Sequence, residues 1–225
     1  MSELWVAQLG RVPYGEATQL QERVRAKRQA GELPDVLLLL EHPPVLTKGR
    51  RTEPSDLPMG ESWYELQGIE VAEADRGGRV TYHCPGQLVG YPIVGVTDVP
   101  AYVAMLEQAM IDSLATEGIH TEAPADLTGV WCEDAKIGSI GVHVSRGVTT
   151  HGFALNVDCD LQPFEYIVPC GLPNVRMTSV LKATGRIGRM PCLRKEVAYR
   201  VAEGLGHRQR LVSLDRLLDR EALPA

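Results

Sequence analysis

The pattern of apolar and polar positions divides the chain into short strands and amphipathic helices. Residues 35–41 (DVLLLLE) form a continuous apolar run of strand length, which is typical of a central strand buried on both faces. His42-Pro43-Pro44 ends that run, and residues 47–61 are rich in Gly, Pro and charge, so we expect a long loop there. Further strands are predicted over Glu3–Leu9, Ile69–Ala74, Arg79–His83 and Leu88–Val94.

Helical spacing of apolar residues alternates with these strands. It predicts one helix over Tyr14–Ala30 and another from about Val99 to Glu117, capped by Thr97 or Asp98. Shorter helical pieces are expected over Thr178–Ala183, Leu193–Gly204 and Leu211–Glu221. Because no repeat or linker interrupts this alternation, the sequence predicts one α/β domain over residues 1–225, built on a mixed sheet.

Residues 129–171 are the most informative stretch. Val142, Val144 and Val148 have strand composition around the turn Ser145-Arg146-Gly147, so we predict a β-hairpin. Lys136 stands in an otherwise small and apolar strand, where it either points inward or marks an exposed edge. Cys170 follows on a loop between Pro169 and Gly171, and it is the best nucleophile candidate among the five cysteines.

Lys136 and Cys170 suit one another chemically. Burial disfavours the charged form of a lysine, so a buried amine can lose its proton near neutral pH. The neutral amine can then act as a base. A cationic or hydrogen-bonding partner favours the thiolate form of a cysteine, which is the nucleophilic form. The sequence therefore raises the hypothesis of a thiol nucleophile with an amine as its base. Cys132, Cys159 and Cys192 are expected to fill small core or surface positions.

Composition narrows the class of protein. The 225 residues are 44% hydrophobic and 23% charged, as in an ordinary globular domain, and neither a membrane span nor a secretory signal is visible. We therefore expect a cytoplasmic protein. The net charge of −6 disfavours nucleic acid as a partner. Local basic clusters, led by Lys48, Arg50 and Arg51, are either solvated loops or docking points for acidic proteins.

Several kinds of site are not indicated by the sequence. The five cysteines are an odd number and form no Cys-x-x-Cys pair, so we expect free thiols and neither disulfides nor a structural zinc site. Neither a dinucleotide-binding fingerprint nor a P-loop is present, so no cofactor is predicted.

Residues 76–93 (RGGRVTYHCPGQLVGYPI) are a second informative stretch. Gly77-Gly78 precedes a predicted strand and Pro85-Gly86 follows it. Glycines beside a strand let a ligand approach the backbone closely, although two ordinary turns would have the same composition.

These motifs resemble a known family. RGGRVTYHCPGQLVGYPI, GVWCEDAKIGSIGVHVSRGVTTHGFALNV, IVPCGL and EHPPVLTKGR are similar to blocks of the octanoyltransferases of the lipoate-synthesis pathway, in the family's order over about residues 36–182. The resemblance implies a single α/β domain with a mixed, mostly antiparallel sheet flanked by helices, similar to the catalytic domains of lipoate and biotin protein ligases.

The resemblance also implies a reaction. An octanoyl group would pass from octanoyl-acyl carrier protein to Cys170 as a thioester. It would then pass to a lysine amine on a lipoyl domain of a 2-oxoacid dehydrogenase E2 subunit or of the glycine-cleavage H protein, with Lys136 as the proton carrier. The positions carried over as substrate-binding are Arg76, Gly77, Gly78, Arg79, Val80, Thr81, Tyr82, His83, Ser139, Ile140, Gly141, Gly152, Phe153 and Ala154. We expect apolar walls from Val80, Ile140 and Phe153, and a monomeric enzyme. Gly171 and the neighbourhood of His83 are candidates for holding the oxyanion.

One departure and three alternatives accompany this hypothesis. Cys84 stands where the family usually has glycine, and we interpret it as a tolerated small side chain rather than a second reactive thiol. An ATP-dependent ligase of the same fold would need no nucleophilic cysteine. A non-catalytic binding module would not depend on Lys136. An amidotransferase would move the acyl group between two lipoyl domains.

Overall fold

A twisted mixed sheet forms the centre of the molecule. The computed structural model describes residues 2–169 and 175–218, and eight strands of this part make the sheet. The strands span β1 Glu3–Arg11, β2 Asp35–Glu41, β6 Gln87–Ile93, β7 Val130–Cys132, β8 Ala135–Ser145, β9 Val148–Asn156, β10 Arg176–Met177 and β11 Arg208–Leu211. Their order in the sheet is β10-β8-β9-β6-β2-β1-β11, with β7 paired to β8.

Strand directions confirm the predicted sheet type. The pairs β2–β6, β6–β9, β8–β9 and β7–β8 are antiparallel, whereas β1–β2, β1–β11 and β8–β10 are parallel. A smaller sheet of β4-β3-β5 lies beside it, built from β3 Val45–Lys48, β4 Glu70–Glu73 and β5 Thr81–His83. The mixed, mostly antiparallel α/β architecture predicted from the sequence is therefore correct.

Helices cover both faces of the main sheet. The described helices are α1 Tyr14–Gln29, α2 Glu61–Leu66, α3 Val99–Ala115, α4 Val180–Thr184, α5 Met190–Gly204 and α6 Leu214–Leu217. Leu37 and Leu39 pack in a cluster with α3 and α5, whereas Leu38 and Leu40 pack in a cluster with α1. Alternating side chains of β2 thus fill both layers, which explains the uninterrupted apolar run.

The hairpin of β8 and β9 has the predicted turn. Ser145 pairs with Val148, and the two residues between them have positive φ angles, 49° for Arg146 and 75° for Gly147. Two successive left-handed residues form the tight turn that matches the twist of an antiparallel pair. At the start of α3, the Asp98 carboxylate accepts a hydrogen bond from the Ala101 amide, so Asp98 is the cap.

Two predicted segments differ from the structure. Residues 47–61 include the end of β3, a short 3-10 helix over Pro54–Asp56 and the first residue of α2, so they are not one loop. The helix predicted from Leu211 begins only at Leu214, because Arg208–Leu211 pairs in parallel with β1. Within the described residues no helix is long and apolar enough to cross a membrane.

Candidate active site

A narrow slot lies where the main sheet meets the smaller sheet and α1. It holds about 490 Å³ of empty space, counting its open mouth. All but three of the predicted substrate residues line it, namely Arg76, Gly78, Arg79, Thr81, His83, Ser139, Ile140, Gly141, Gly152, Phe153 and Ala154. Residues from β5, β8 and β9, far apart in sequence, therefore share one concave surface.

The other three predicted residues are not on the slot wall. Val80 and Tyr82 are buried in a separate apolar cluster with Phe164. Because β5 alternates its side chains, Thr81 and His83 face the slot while Tyr82 faces away from it. The expectation of an apolar wall at Val80 is wrong for this reason. Gly77 instead donates its amide to the Val142 carbonyl over 3.0 Å.

Three residues that the sequence interpretation did not select also line the slot. Tyr14 comes from α1, Tyr91 from β6 and His151 from β9. Burial raises the pKa of Tyr14 to about 12, so its phenol stays protonated. His151 directly precedes the selected Gly152, but Tyr14 and Tyr91 lie on elements whose apolar pattern indicates only core packing.

Two arginines of the slot wall are engaged by the protein itself. The buried Arg76 guanidinium donates to the carbonyls of Gly77, Arg79 and Thr47 and to the Thr47 hydroxyl, over 2.7–3.1 Å. Arg79 donates to the buried Asp56 carboxylate over 2.8 Å. These bonds fix the shape of the glycine-containing loop beside the slot.

Two neutral histidines lie side by side at the slot, His83 on its wall and His42 next to it. His42 Nδ1 donates to the Val12 carbonyl over 2.6 Å, so Nε2 accepts from the Tyr91 hydroxyl over 2.7 Å. Burial lowers the pKa of His42 to about 4. The ring of His83 lies 5.6 Å from that of His42, and burial holds the pKa of His83 well below its usual value.

A carboxylate lies next to His151 of the slot wall. His151 Nε2 is 2.5 Å from Asp75 Oδ1, and this hydrogen bond lowers the pKa of Asp75 to about 2. His143 Nε2 is 3.6 Å from the same carboxylate, and its Nδ1 bonds to Arg50 over 2.8 Å. The slot therefore has a neutral imidazole on its wall at His83 and a charged carboxylate next to His151.

Lys136 is buried, with 3% of its surface exposed, although it lies on the strand that also carries Ser139 and Gly141. Its amine donates to the Thr128 carbonyl over 2.8 Å and lies 5.5 Å from the centre of the Trp131 ring. Position 129 favours glycine, because a Cβ there would stand 2.7 Å from Lys136 Cε and because the φ angle is 115°. The lysine points inward and is not at an exposed edge.

Cys170 and Gly171 lie outside the described residues, but the chain on both sides is anchored. Before them, Val168 donates to the Asp56 carbonyl over 3.0 Å, and the Tyr64 hydroxyl donates to the Tyr166 carbonyl over 2.6 Å. After them, Met177 pairs with Lys136 in parallel register. Residues 176 and 177 therefore lie alongside the strand of Lys136.

The remaining cysteines are free thiols. Cys84 and Cys159 are buried in one cluster, where a hydrogen bond between them and burial raise the pKa of Cys159. Burial also raises the pKa of the half-buried Cys132, whereas Cys192 is exposed. Within residues 2–169 and 175–218, no three His, Cys, Asp or Glu side chains lie close enough together to hold a metal ion.

The basic cluster at residues 48–51 is paired with carboxylates at Lys48. Lys48 lies between the carboxylates of Glu61 and Glu73, at 2.5 and 2.6 Å, and these bonds raise the pKa of Lys48. Arg50 bonds to His143, whereas Arg51 is exposed. Docking of acidic proteins by this cluster stays a prediction.

Comparisons with known proteins give one consistent answer. Residues 13–203 match the model of the lipoyl protein ligase A/B catalytic domain. A relative named octanoyltransferase from Solibacter usitatus is 52% identical over 176 residues, covering 76% of this chain and 80% of that one. An octanoyltransferase from Mycolicibacterium smegmatis is 48% identical, covering 88% and 85%. A lipoate-protein ligase A crystallised with ATP is 17% identical with a TM-score of 0.79, covering 97% and 92%, and shows the same fold.

Proposed function

Because the chain belongs to the lipoyl protein ligase A/B catalytic domain family, we propose that it is an octanoyltransferase. The observation that carries this proposal is the 52% identity to a relative of that name over 76% of the chain. We further propose octanoyl-acyl carrier protein as the donor, and the lipoyl domains of 2-oxoacid dehydrogenase E2 subunits and of the glycine-cleavage H protein as acceptors.

The slot suits a straight acyl chain. Part of its wall is small or apolar at Ile140, Gly141, Phe153 and Ala154. Each methylene buried there contributes roughly 0.8 kcal/mol, so a slot of fixed length discriminates between acyl chains. Octanoyl is the length that the named relatives transfer.

The proposed reaction has two acyl transfers. Cys170 Sγ forms a bond to the donor's carbonyl carbon while the donor's C–S bond breaks, and the released thiol takes up a proton. The acceptor lysine nitrogen then forms a bond to that carbon, and the C–Sγ bond breaks to return the Cys170 thiol. In the first transfer Lys136 takes the proton from the cysteine and gives it to the released thiol. In the second it takes a proton from the amine and gives it to Cys170 Sγ.

The experiment is mass spectrometry of the protein after incubation with an octanoyl thioester. We expect a mass increase of one octanoyl group that is absent in Cys170→Ala and that disappears when a lipoyl domain is added. Cys84→Ala is the matched control and should keep the adduct. An adduct that persists in Cys170→Ala, or no adduct in the wild type, would contradict the proposal.

The same assay separates the related possibilities. A ligase would modify the lipoyl domain from free octanoate only when ATP is present. An amidotransferase would accept the acyl group from octanoylated H protein and not from acyl carrier protein. A binding module would show no turnover, and Lys136→Ala would leave its properties unchanged.

A further inference from the structure

A line of buried hydrogen bonds joins the slot wall to the strand of Lys136. His83 Nδ1 is 2.7 Å from Gln87 Oε1, and Gln87 Nε2 donates to Asn156 Oδ1 over 2.9 Å. Asn156 Nδ2 donates to the Thr178 carbonyl over 3.0 Å. The amide of Thr178 in turn donates to the Lys136 carbonyl over 2.9 Å. All five residues are buried.

The Thr178 carbonyl determines which group donates and which accepts in each side-chain hydrogen bond of this line. The Thr178 carbonyl can only accept, so Asn156 must present its NH₂ group to it and its oxygen to Gln87. Gln87 must then donate to Asn156, and its NH₂ group also donates to the Tyr82 carbonyl over 3.2 Å. Its oxygen therefore faces His83.

The end of the line determines the tautomer of His83. Because Gln87 Oε1 accepts, His83 Nδ1 carries the hydrogen and Nε2 keeps its lone pair. Burial, together with the nearby His42 and Arg76, holds the pKa of His83 well below its usual value, so the ring is neutral at neutral pH. The slot wall thus has a hydrogen-bond acceptor at a fixed place.

We propose that Gln87 and Asn156 are positioning residues that hold His83 as the Nδ1-H tautomer and fix the orientation of its ring on the slot wall. The inference rests on the proposed acyl transfer for its consequence in catalysis. The tautomer itself follows from the hydrogen bonds alone. Neither residue needs to touch the substrate.

A neutral acceptor in this slot has a defined chemical use. The Cys170 thiol carries one hydrogen, which Lys136 takes, whereas the neutral acceptor amine carries two. The His83 lone pair accepts a hydrogen bond from the second hydrogen of the amine and so orients the lone pair of the amine nitrogen toward the carbonyl carbon. An octanoyl chain offers no hydrogen-bond donor, so the acceptor serves the nucleophile.

The direct test is ¹⁵N NMR of full-length protein labelled at histidine. In the wild type, we expect a protonated Nδ1 and an unprotonated Nε2 for His83, assigned by comparison with His83→Gln. Gln87→Met should give a mixture of both tautomers. A wild-type His83 with hydrogen on Nε2 would overturn the proposal, whatever the variants do. This measurement needs no acyl substrate, so it stands even if octanoyl transfer is wrong.

The rates of the two separate acyl transfers test whether the tautomer of His83 matters for catalysis. We expect Gln87→Met to slow transfer from the octanoyl-enzyme to the acceptor lysine by roughly a hundredfold, the loss typical of a misplaced catalytic group, and to leave formation of the octanoyl-enzyme unchanged. Slower formation of the octanoyl-enzyme alone would contradict the amine as the hydrogen donor. Unchanged rates of both transfers, with a mixed tautomer, would overturn the catalytic part of the proposal.

Two further variants exclude a merely structural effect. Asn156→Leu breaks the same line, so adding it to Gln87→Met should cost little more in rate than Gln87→Met alone. If the rate losses of the two substitutions were fully additive, the two residues would not act through the same line of hydrogen bonds. Thr149→Val is the matched control, because Thr149 is a fully buried residue of β9 whose hydroxyl bonds to the backbone at Pro92 and Val94. It should lower the melting temperature without changing the tautomer of His83 or either rate.

Discussion

The two faces of the main sheet bury different kinds of residue. Toward α3 and α5, the cluster is built from apolar side chains such as Leu37, Leu106 and Leu155. Toward α1, a smaller apolar cluster borders the slot, where Arg76, His83 and other polar side chains are buried. Each of those two polar groups has hydrogen-bond partners within the protein. The first face supplies stability, and the second holds chemical groups in fixed orientations.

Among the variants proposed here, Lys136→Met should have the largest effect on activity. The change removes the amine that bonds to Thr128 but keeps an apolar side chain of similar length, so the fold should survive. Loss of the proposed proton carrier should lower kcat/KM for octanoyl transfer by roughly a hundred- to ten-thousandfold. Lys195→Met, at an exposed position of α5, is the matched control. Equal activity of the two variants would exclude Lys136 from the reaction.

Leu106→Ala tests the opposite face. Leu106 is fully buried between α3 and the sheet, so the cavity should lower the free energy of unfolding by about 2–5 kcal/mol. Denaturant unfolding measures this loss. At temperatures where the variant is folded, kcat/KM should stay unchanged. A large loss of kcat/KM in the folded variant would show that the two faces are not independent.

Acid should destabilise the polar side through His42. In the unfolded chain His42 takes up a proton near its ordinary pKa of 6.5, but in the folded protein burial lowers that pKa to about 4. The unfolded state therefore binds more protons between these values, and stability falls as the pH drops from about 6.5 to about 4. Within this range, His42 should lower the free energy of unfolding by up to about 1.4 kcal/mol for each pH unit. His42→Gln should reduce this slope in pH-dependent unfolding; an identical slope would contradict the burial argument.

Gly141→Ala should have the smallest effect, confined to the slot. A Cβ there would stand 2.9 Å from Arg76 Cδ, and Arg76 is held by hydrogen bonds and cannot move aside freely. We expect KM for the octanoyl donor to rise roughly tenfold, with a shift toward shorter acyl chains. Gly15→Ala is the control, since a Cβ there meets nothing within 4 Å. If the preference for chain length is unchanged, the acyl chain does not pass Gly141.

Long elements were predictable from the sequence, and short ones were not. The boundaries of β2 and the start of α3 agree with prediction because an apolar run and a capping aspartate are local signals. The short strands β3, β10 and β11 have no comparable signal, since each exists through pairing with a distant segment. The same limit applies to Val80, because the placement of β5 decides whether its side chain faces the slot or the core.

The sequence by itself determined the family, the sheet type, the hairpin and the residue types of the proposed reaction, because these depend on local pattern and on motifs. Tertiary structure decided which side chains share the slot, added Tyr14, Tyr91 and His151 to it, and paired Lys48 with carboxylates. It also decided the tautomer of His83, through a carbonyl almost a hundred residues away along the chain. Hydrogen-bond direction and burial depend on neighbours in space, and the order of residues does not state which neighbours those are.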